Sequence, residues 1–475
     1  MTVTGSWREL LGKKFRGISA VLAGGVVLYA TNEFLVVSML PSVVKEIGGE
    51  RFYSWATTLY LVGSVVAAAM VNGVLERIGA RLAYLVGLAA FGSGCVVCAL
   101  APTMGALLTG RTLQGIGGGL LAGLGYALIN AVLPAHLWTR ASGLISAMWG
   151  VGTLAGPTLG GAFAQIGAWR WSFALMAMLS VATAVLVIVV LSAGKGDQHG
   201  ESMRIPVRSL LLLGSAALVV SAAQLPHSLV LAAGLLVAGG VLLALFLFAD
   251  RRASVAVLPP SAFHPGREKW IYLSLGSLMA ITKANLYVPL FGQRLAHMSP
   301  AVAGFLGAAL STGWMISEIG SASLNNKRLI ARLVACTPLV VAGGLILAAF
   351  TRMSHYDPNP TPLKAVWAVS LLIVGLGVGA GWPHLSAWAM SCVDDPAEGR
   401  TAAAAINTVQ LISGAFGAGI AGWVMNTALG AGFPAARLLL AVFAVFAALS
   451  CAITYLASRG SPEVLEVVEA MEAAE

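Results

Sequence analysis

Four ionisable residues interrupt long apolar stretches of this 475-residue chain: Glu33, Arg111, Lys283 and Glu318. The chain holds 19 acidic and 28 basic side chains, so almost all its charge lies outside those stretches and these four stand apart. A charge held at the centre of a bilayer costs roughly 2.5 kcal/mol or more, so such a residue marks an ion, proton or substrate path by default. Glu33 lies about 24 Å along a helix from the start of its run, and Lys283 about 20 Å from the start of its own, at 1.5 Å per residue. Glu318, nearer an end, is only about 10 Å deep. A carboxyl that meets its counter-ion in one state and not in another changes its proton affinity between them, which is one way to couple a proton to a change of shape. A static ion pair holding two helices together is the alternative use of the same residues.

The elements that carry them follow from composition. Hydrophobic residues make up 58% and charged residues 10% of the chain, whereas soluble domains carry about a quarter charged. Taking about 20 apolar residues per crossing, the runs fall near 17–40, 53–75, 82–101, 105–134, 138–165 and 171–193, then 207–224 and 227–249, then 270–293, 301–323, 329–350, 364–392, 399–428 and 434–457. This predicts an all-α polytopic membrane protein with fourteen spans. The order is a terminal segment 1–16, a six-helix bundle 17–193, a loop 194–206, two additional helices 207–249, a linker 250–269, a second six-helix bundle 270–457 and an acidic tail 458–475. The first run follows Arg8, Lys13, Lys14 and Arg16 but is too long for a signal-peptide core, so it is read as a retained span.

With an even number of spans, the two termini share a side with most of the basic loop residues. Lys45, Arg51, Arg170, Arg294, Arg352, Lys364 and Arg437 fall opposite. The bias places both termini in the cytoplasm of a plasma membrane. Because these bases are spread along loops, the net charge of +9 calls for no nucleic acid. Cysteines all fall in or beside apolar runs, and the Cys95/Cys98 pair, lacking a second pair, reads as packing and not as a metal site.

Six motifs then resemble one family. Gly152, Gly156, Pro157, Gly160 and Gly161 match the antiporter motif on the fifth helix of drug:proton antiporters in the major facilitator superfamily. Glycines four apart let a neighbouring backbone approach one face of a helix, and Pro157 removes a backbone donor. Glu76, Arg77, Gly79 and Arg81 resemble the family's gating loop between helices two and three, in a degenerate copy. Arg111, Gln114, Gly115 and Gly117 fit its RxxQGxG element, Trp169-Arg170-Trp171-Ser172-Phe173 its WRWxF signature, and Thr31-Asn32-Glu33-Phe34 its TxEF element, ahead of a Pro41 expected to close the helix. Gly375 to Pro383 is similar to the tenth-helix pattern of the fourteen-helix branch.

The resemblance implies two six-helix bundles plus two additional helices, and export of small amphipathic molecules in exchange for protons, without a cofactor. It implies proton-coupling roles for Glu33, Glu318 and Arg111, with Lys283 as counter-ion, since helices one and seven flank the central cavity in that superfamily. Arg111 could equally serve as a hydrogen-bonding hub for neighbouring carbonyls. Asn32, Tyr60, Gln114, Tyr126, Trp149, Asn285, Tyr287, Trp314, Trp382, His384 and Gln410 are the residues that could line a substrate cavity, each of them also a plausible packing residue. A dedicated exporter or flippase of a lipid or metabolite on the same fold is the alternative, and a non-transporting receptor or scaffold a more distant one. The sequence has no GxSxG elbow, HExxH or P-loop, so neither a membrane hydrolase nor an ATP-driven pump finds support, and no enzyme activity is expected.

Overall fold

The computed structural model describes residues 7–134, 137–191 and 206–459, apart from 224, 227, 254–255, 264–265, 322–323, 325, 351–360, 392–395 and 429–432. Its described elements are all helical. A short α1 (Trp7–Leu10) precedes α2 (Arg16–Ile47), α3 (Trp55–Ala69), α4 (Val71–Ala99), α5 (Met104–Val132), α6 (Trp138–Gln165) and α7 (Trp169–Val190). Then come α8 (Val207–Ala222), α9 (Leu229–Asp250), α10 (Glu268–Thr282), α11 (Val288–Arg294), α12 (Pro300–Ser321), α13 (Lys327–Phe350), α14 (Thr361–Ser391), α15 (Pro396–Thr427) and α16 (Phe433–Ser458). Ten of the described helical stretches are long and apolar enough to cross a bilayer.

The chain divides into two compact units. One comprises Met1–Gly214 with Ser299–Phe305, the other Ser215–Met298 with Leu306–Glu475.

In lipid the apolar effect does not drive helices together, so their contact rests on close packing of small residues. Residues four apart on a helix share a face, and residues two apart lie about 200° from each other. In α5 this divides the glycines between two neighbours. A side chain on Gly115 or Gly119 would run into the backbone of α3 at Tyr60 or Ser64, and one on Gly117 into Phe91 of α4. The second unit repeats the device: Gly375 and Gly379 of α14 face Leu310 and Trp314 of α12, while Gly377 and Gly381 face Val341 and Thr337 of α13.

Three local features depart from a reading of apolar runs alone. The second and third runs are joined without a loop, because Gly79 turns the chain inside α4 with φ 74° and ψ 166°, a conformation glycine alone adopts cheaply. Pro41 does not close the first helix. It lies inside α2, which continues to Ile47, since a proline removes one hydrogen bond but leaves the following turns free to stay helical. The run 270–293 is not one helix either: α10 stops at Thr282, Lys283–Tyr287 tighten into a 3-10 turn, and α11 resumes with Pro289 near its start. The Pro289 ring would clash with the carbonyl of Asn285 in a continuous α-helix, so the chain winds more tightly ahead of it.

The two additional helices differ in kind. Val230, Leu231, Val237, Val241 and Phe248 of α9 are all more than half exposed, as a lipid-facing helix requires, whereas the C-terminal turns of α8 bury Ala216, Ala217, Val220 and Ser221. Gly419 of α15 packs on that face, its missing Cβ only 2.9 Å from a Val220 methyl. Asp250, wholly buried at the end of α9, accepts backbone N–H bonds from Val257 (2.9 and 3.1 Å) and Leu258 (2.9 Å). Those bonds offset the cost of burying its carboxylate and fix the chain that leads towards α10.

Candidate functional site

In the first unit, Arg111 of α5 is 1% exposed. Its Nε donates to the Ala56 carbonyl of α3 at 3.0 Å, its Nη1 to Gln114 Oε1 at 2.7 Å, and its guanidinium lies 4.1 Å over the Tyr60 ring. Gln114 extends the network in two directions: Asn32 Nδ2 of α2 approaches its Oε1 at 3.5 Å, and its own Nε2 donates to Cys95 Sγ of α4 at 3.2 Å. Tyr60 donates its hydroxyl to the Tyr29 carbonyl at 3.1 Å and stacks on the Tyr29 ring at 5.4 Å. Trp149 of α6 meets Tyr29 edge-on at 5.5 Å. Four helices thus share one buried polar network. A buried guanidinium needs such acceptors placed around it or its burial becomes a large penalty.

Glu33 follows Asn32 on α2 and is 8% exposed. It is within electrostatic reach of Tyr29, Tyr60 and Arg111. The glycine string bears on the same turns of α2. A Cβ on Gly152 would stand 2.5 Å from Ala30 Cβ and 2.8 Å from the Thr31 nitrogen, and one on Gly156 would stand 2.6 Å from Phe34 Cβ and 2.8 Å from the Leu35 nitrogen. Gly160 continues the contact at Leu35 and Ser38. The last two positions face a different helix: Gly161 has its missing Cβ 2.6 Å from Ala301 Cα at the start of α12, and the Pro157 carbonyl lies close to Gly304. Glu33 therefore sits between two glycine contacts of α6, at Thr31 and at Phe34.

The second unit holds a separate cluster. Trp314 of α12 donates its indole N–H to Glu318 Oε2 at 3.0 Å, one turn along the same helix, and its ring lies 5.1 Å from that of Trp382 on α14, tilted by 54°. Lys283 begins the 3-10 turn between α10 and α11 and is half-buried. Asn285 in that turn donates to the Gly307 carbonyl of α12 at 2.8 Å, and Tyr287 stacks on Phe291 at 6.3 Å. His384 and Gln410 are half-buried on α14 and α15.

Arg111 reaches one carbonyl of a neighbouring helix, that of Ala56. The residues named from sequence thus sort into two clusters, Asn32, Tyr60, Arg111, Gln114 and Trp149 in one and Trp314, Glu318 and Trp382 in the other. The side chains of Tyr126 and Glu76 lie outside the described residues. Arg77 is exposed and Arg81 half-buried beside the Gly79 turn.

Glu46 is a partner of the WRWxF signature that the sequence reading missed. On the turns of α2 beyond Pro41, its carboxylate accepts from the Trp169 indole N–H at 2.6 Å and pairs with Arg170, which donates to the Ala101 carbonyl at 3.1 Å and stacks 4.2 Å over the Trp169 ring. The WRWxF signature thus fastens the end of α2 to the start of α7 and to the chain after α4. The available signal was that a Trp-Arg pair at a helix start needs an acceptor, and Glu46 is an acid on the same side.

A family model described as Major Facilitator Superfamily matches residues 22–418. The chain is 57% identical over 461 residues to a probable multidrug-efflux transporter of Mycobacterium tuberculosis, covering 96% of this chain and 97% of that one. Among solved structures it resembles a bacterial homologue of the human lysosomal transporter Spinster, with a TM-score of 0.64 at 14% identity over 95% of this chain and 98% of that one. It also resembles a D-xylose-proton symporter, with a TM-score of 0.61 at 15% identity over 92% and 97%.

Proposed function

Because the chain belongs to the major facilitator superfamily, we propose that it exports amphipathic drug-like molecules by alternating access, each exported molecule exchanged for protons. Glu33 is the proton carrier in this reading. The observation that carries it is the position of Glu33: beside the Asn32–Gln114–Arg111 network, on the turns of α2 against which Gly152 and Gly156 pack. Protonation there alters the charge balance around a buried guanidinium, and the response falls on a helix contact with no slack. The multidrug-efflux name of the mycobacterial relative, at 57% identity along nearly the whole chain, supports the substrate class.

Purified protein in liposomes with an imposed pH gradient tests this directly. Substrate-dependent proton flux is expected. Its absence across a broad panel of amphipathic compounds would refute proton-coupled export and favour a receptor or scaffold.

The same reading places fourteen crossings in the plasma membrane, with both termini inside. Each half contributes six, α10 and α11 forming one, α3 with the part of α4 before Gly79 forming one and the rest of α4 another, and α8 and α9 are the additional pair. Gln198 and Asp357 lie outside the described residues and are expected on opposite sides. A single introduced cysteine at Gln198 should resist an impermeant thiol reagent in intact cells, while one at Asp357 should react. The reverse labelling would overturn the orientation.

A further inference from the structure

We infer that residues 7–16, at the entry to the first span, form a docking surface for a leaflet rich in anionic phospholipid. This surface is independent of the export reading and of both polar clusters.

The fold puts the segment at a boundary. α2 is long and apolar enough to cross a bilayer from Arg16 onward, so the residues just ahead of it lie where lipid meets water. The Leu10 side chain is fully buried and that of Phe15 nearly so, α1 packs against α6, and Ser19 Oγ of α2 donates to the Leu10 carbonyl at 2.9 Å. One side of the segment is therefore fixed to the protein.

Its other side combines two kinds of residue that a charged lipid surface satisfies together. Trp7 and Leu11 are one turn apart, linked by the bond from the Leu11 N–H to the Trp7 carbonyl at 3.0 Å, and they are 42% and 55% exposed. Arg8, Lys13, Lys14 and Arg16 are exposed around them, and none of the four is in an ion pair among the described residues. Four bases against one acid, Glu9, leave the segment a net charge of +3. The Lys14 ammonium stands 5.0 Å over the Phe15 ring, so one of these charges is held by a residue that also anchors the segment. An indole sits well at the headgroup level, a leucine gains from reaching the acyl boundary, and each base near an anionic leaflet adds about fivefold to the affinity. A protein partner is a poorer match: two exposed apolar side chains fall far short of the roughly 1,000 Å² that a specific protein interface buries, whereas the bilayer already surrounds α2.

The test uses the full-length protein with Leu11 replaced by photoreactive p-benzoylphenylalanine, in bilayers of equal phosphatidylglycerol and phosphatidylcholine, with the lipid adducts identified by mass spectrometry. Phosphatidylglycerol adducts should outnumber phosphatidylcholine adducts by about tenfold, since Glu9 and salt offset part of what the four bases supply. Lys13→Gln combined with Lys14→Gln should lower that ratio to about twofold or less. If this variant does not fold, about 0.5 M KCl applied with all four bases present carries the same comparison by screening. Millimolar inorganic phosphate at constant ionic strength should leave the ratio unchanged. An even ratio with all four bases present, a ratio unmoved by loss of the lysines or by salt, adducts to protein in place of lipid, or loss of the preference to free phosphate would each overturn the surface. Proton flux plays no part in the measurement, so failure here leaves the export reading intact, and a protein that exports nothing still shows the lipid preference if the surface is real.

Discussion

Glu33→Gln is expected to collapse the substrate gradient that this protein can sustain. One proton exchanged per substrate molecule supplies about 1.4 kcal/mol per pH unit, which holds about a tenfold concentration ratio. The amide keeps the shape of the side chain but cannot titrate, so the steady-state ratio in liposomes should fall to about one at any imposed pH difference. Exchange of labelled for unlabelled substrate without a gradient should persist, because neither the α12/α14 cluster nor the glycine contacts depend on a proton at Glu33. A variant that still holds a substrate gradient in step with the pH difference would remove the proton role from Glu33.

Gly156→Leu should abolish export through a different cause. The first added carbon would already stand 2.6 Å from Phe34 Cβ and 2.8 Å from both the Leu35 nitrogen and the Thr31 carbonyl, so α2 and α6 must move apart to admit even a methyl group. Overpacking of this kind costs about 1–3 kcal/mol for an added methylene or two, and here the obstacle is backbone, which cannot rotate aside. Gly240→Leu on α9 is the matched control, since nothing lies within 4 Å of the corresponding point. It should export normally. Drug efflux compared with membrane-fraction protein level decides the matter: normal efflux from Gly156→Leu at normal abundance would show that the α2/α6 contact does not have to stay closed for transport.

The helical, membrane-spanning architecture was legible from apolar run length because the bilayer imposes a fixed number of residues per crossing. The glycine string was legible as a packing face because spacing by four has one geometric meaning in a helix, and the structure supplies its partner on α2. Where helices break or continue was not. Pro41 and Pro289 are the same residue type in similar apolar surroundings, yet α2 continues through the first, and the chain tightens into a 3-10 turn ahead of the second. Asn285, four residues before Pro289, is also held by its bond to Gly307 of α12, a contact that the sequence does not display. Glu46 escaped for a related reason: a position reached only by a helix that outlasts its proline cannot be placed when the helix is assumed to end there. Single intramembrane charges drew the reading to Glu33 and Arg111, but the connecting amides of Asn32 and Gln114 show their role only once α2, α4 and α5 are brought together.

The alternating glycines of α5 and α14 repeat one steric pattern in the two units. Gly115, Gly117 and Gly119 correspond to Gly375, Gly377 and Gly379, each set dividing its contacts between two neighbouring helices in the same alternation. At the positions of Arg111 and Gln114 the second copy has Leu371 and Val374. The steric frame is thus present in duplicate while the buried guanidinium–amide network is present in a single copy. Tolerance to substitution should then be uneven along the chain: in a saturation library the glycine columns of both copies would be equally intolerant, whereas positions 371 and 374 would accept any apolar residue of similar volume and positions 111 and 114 almost none.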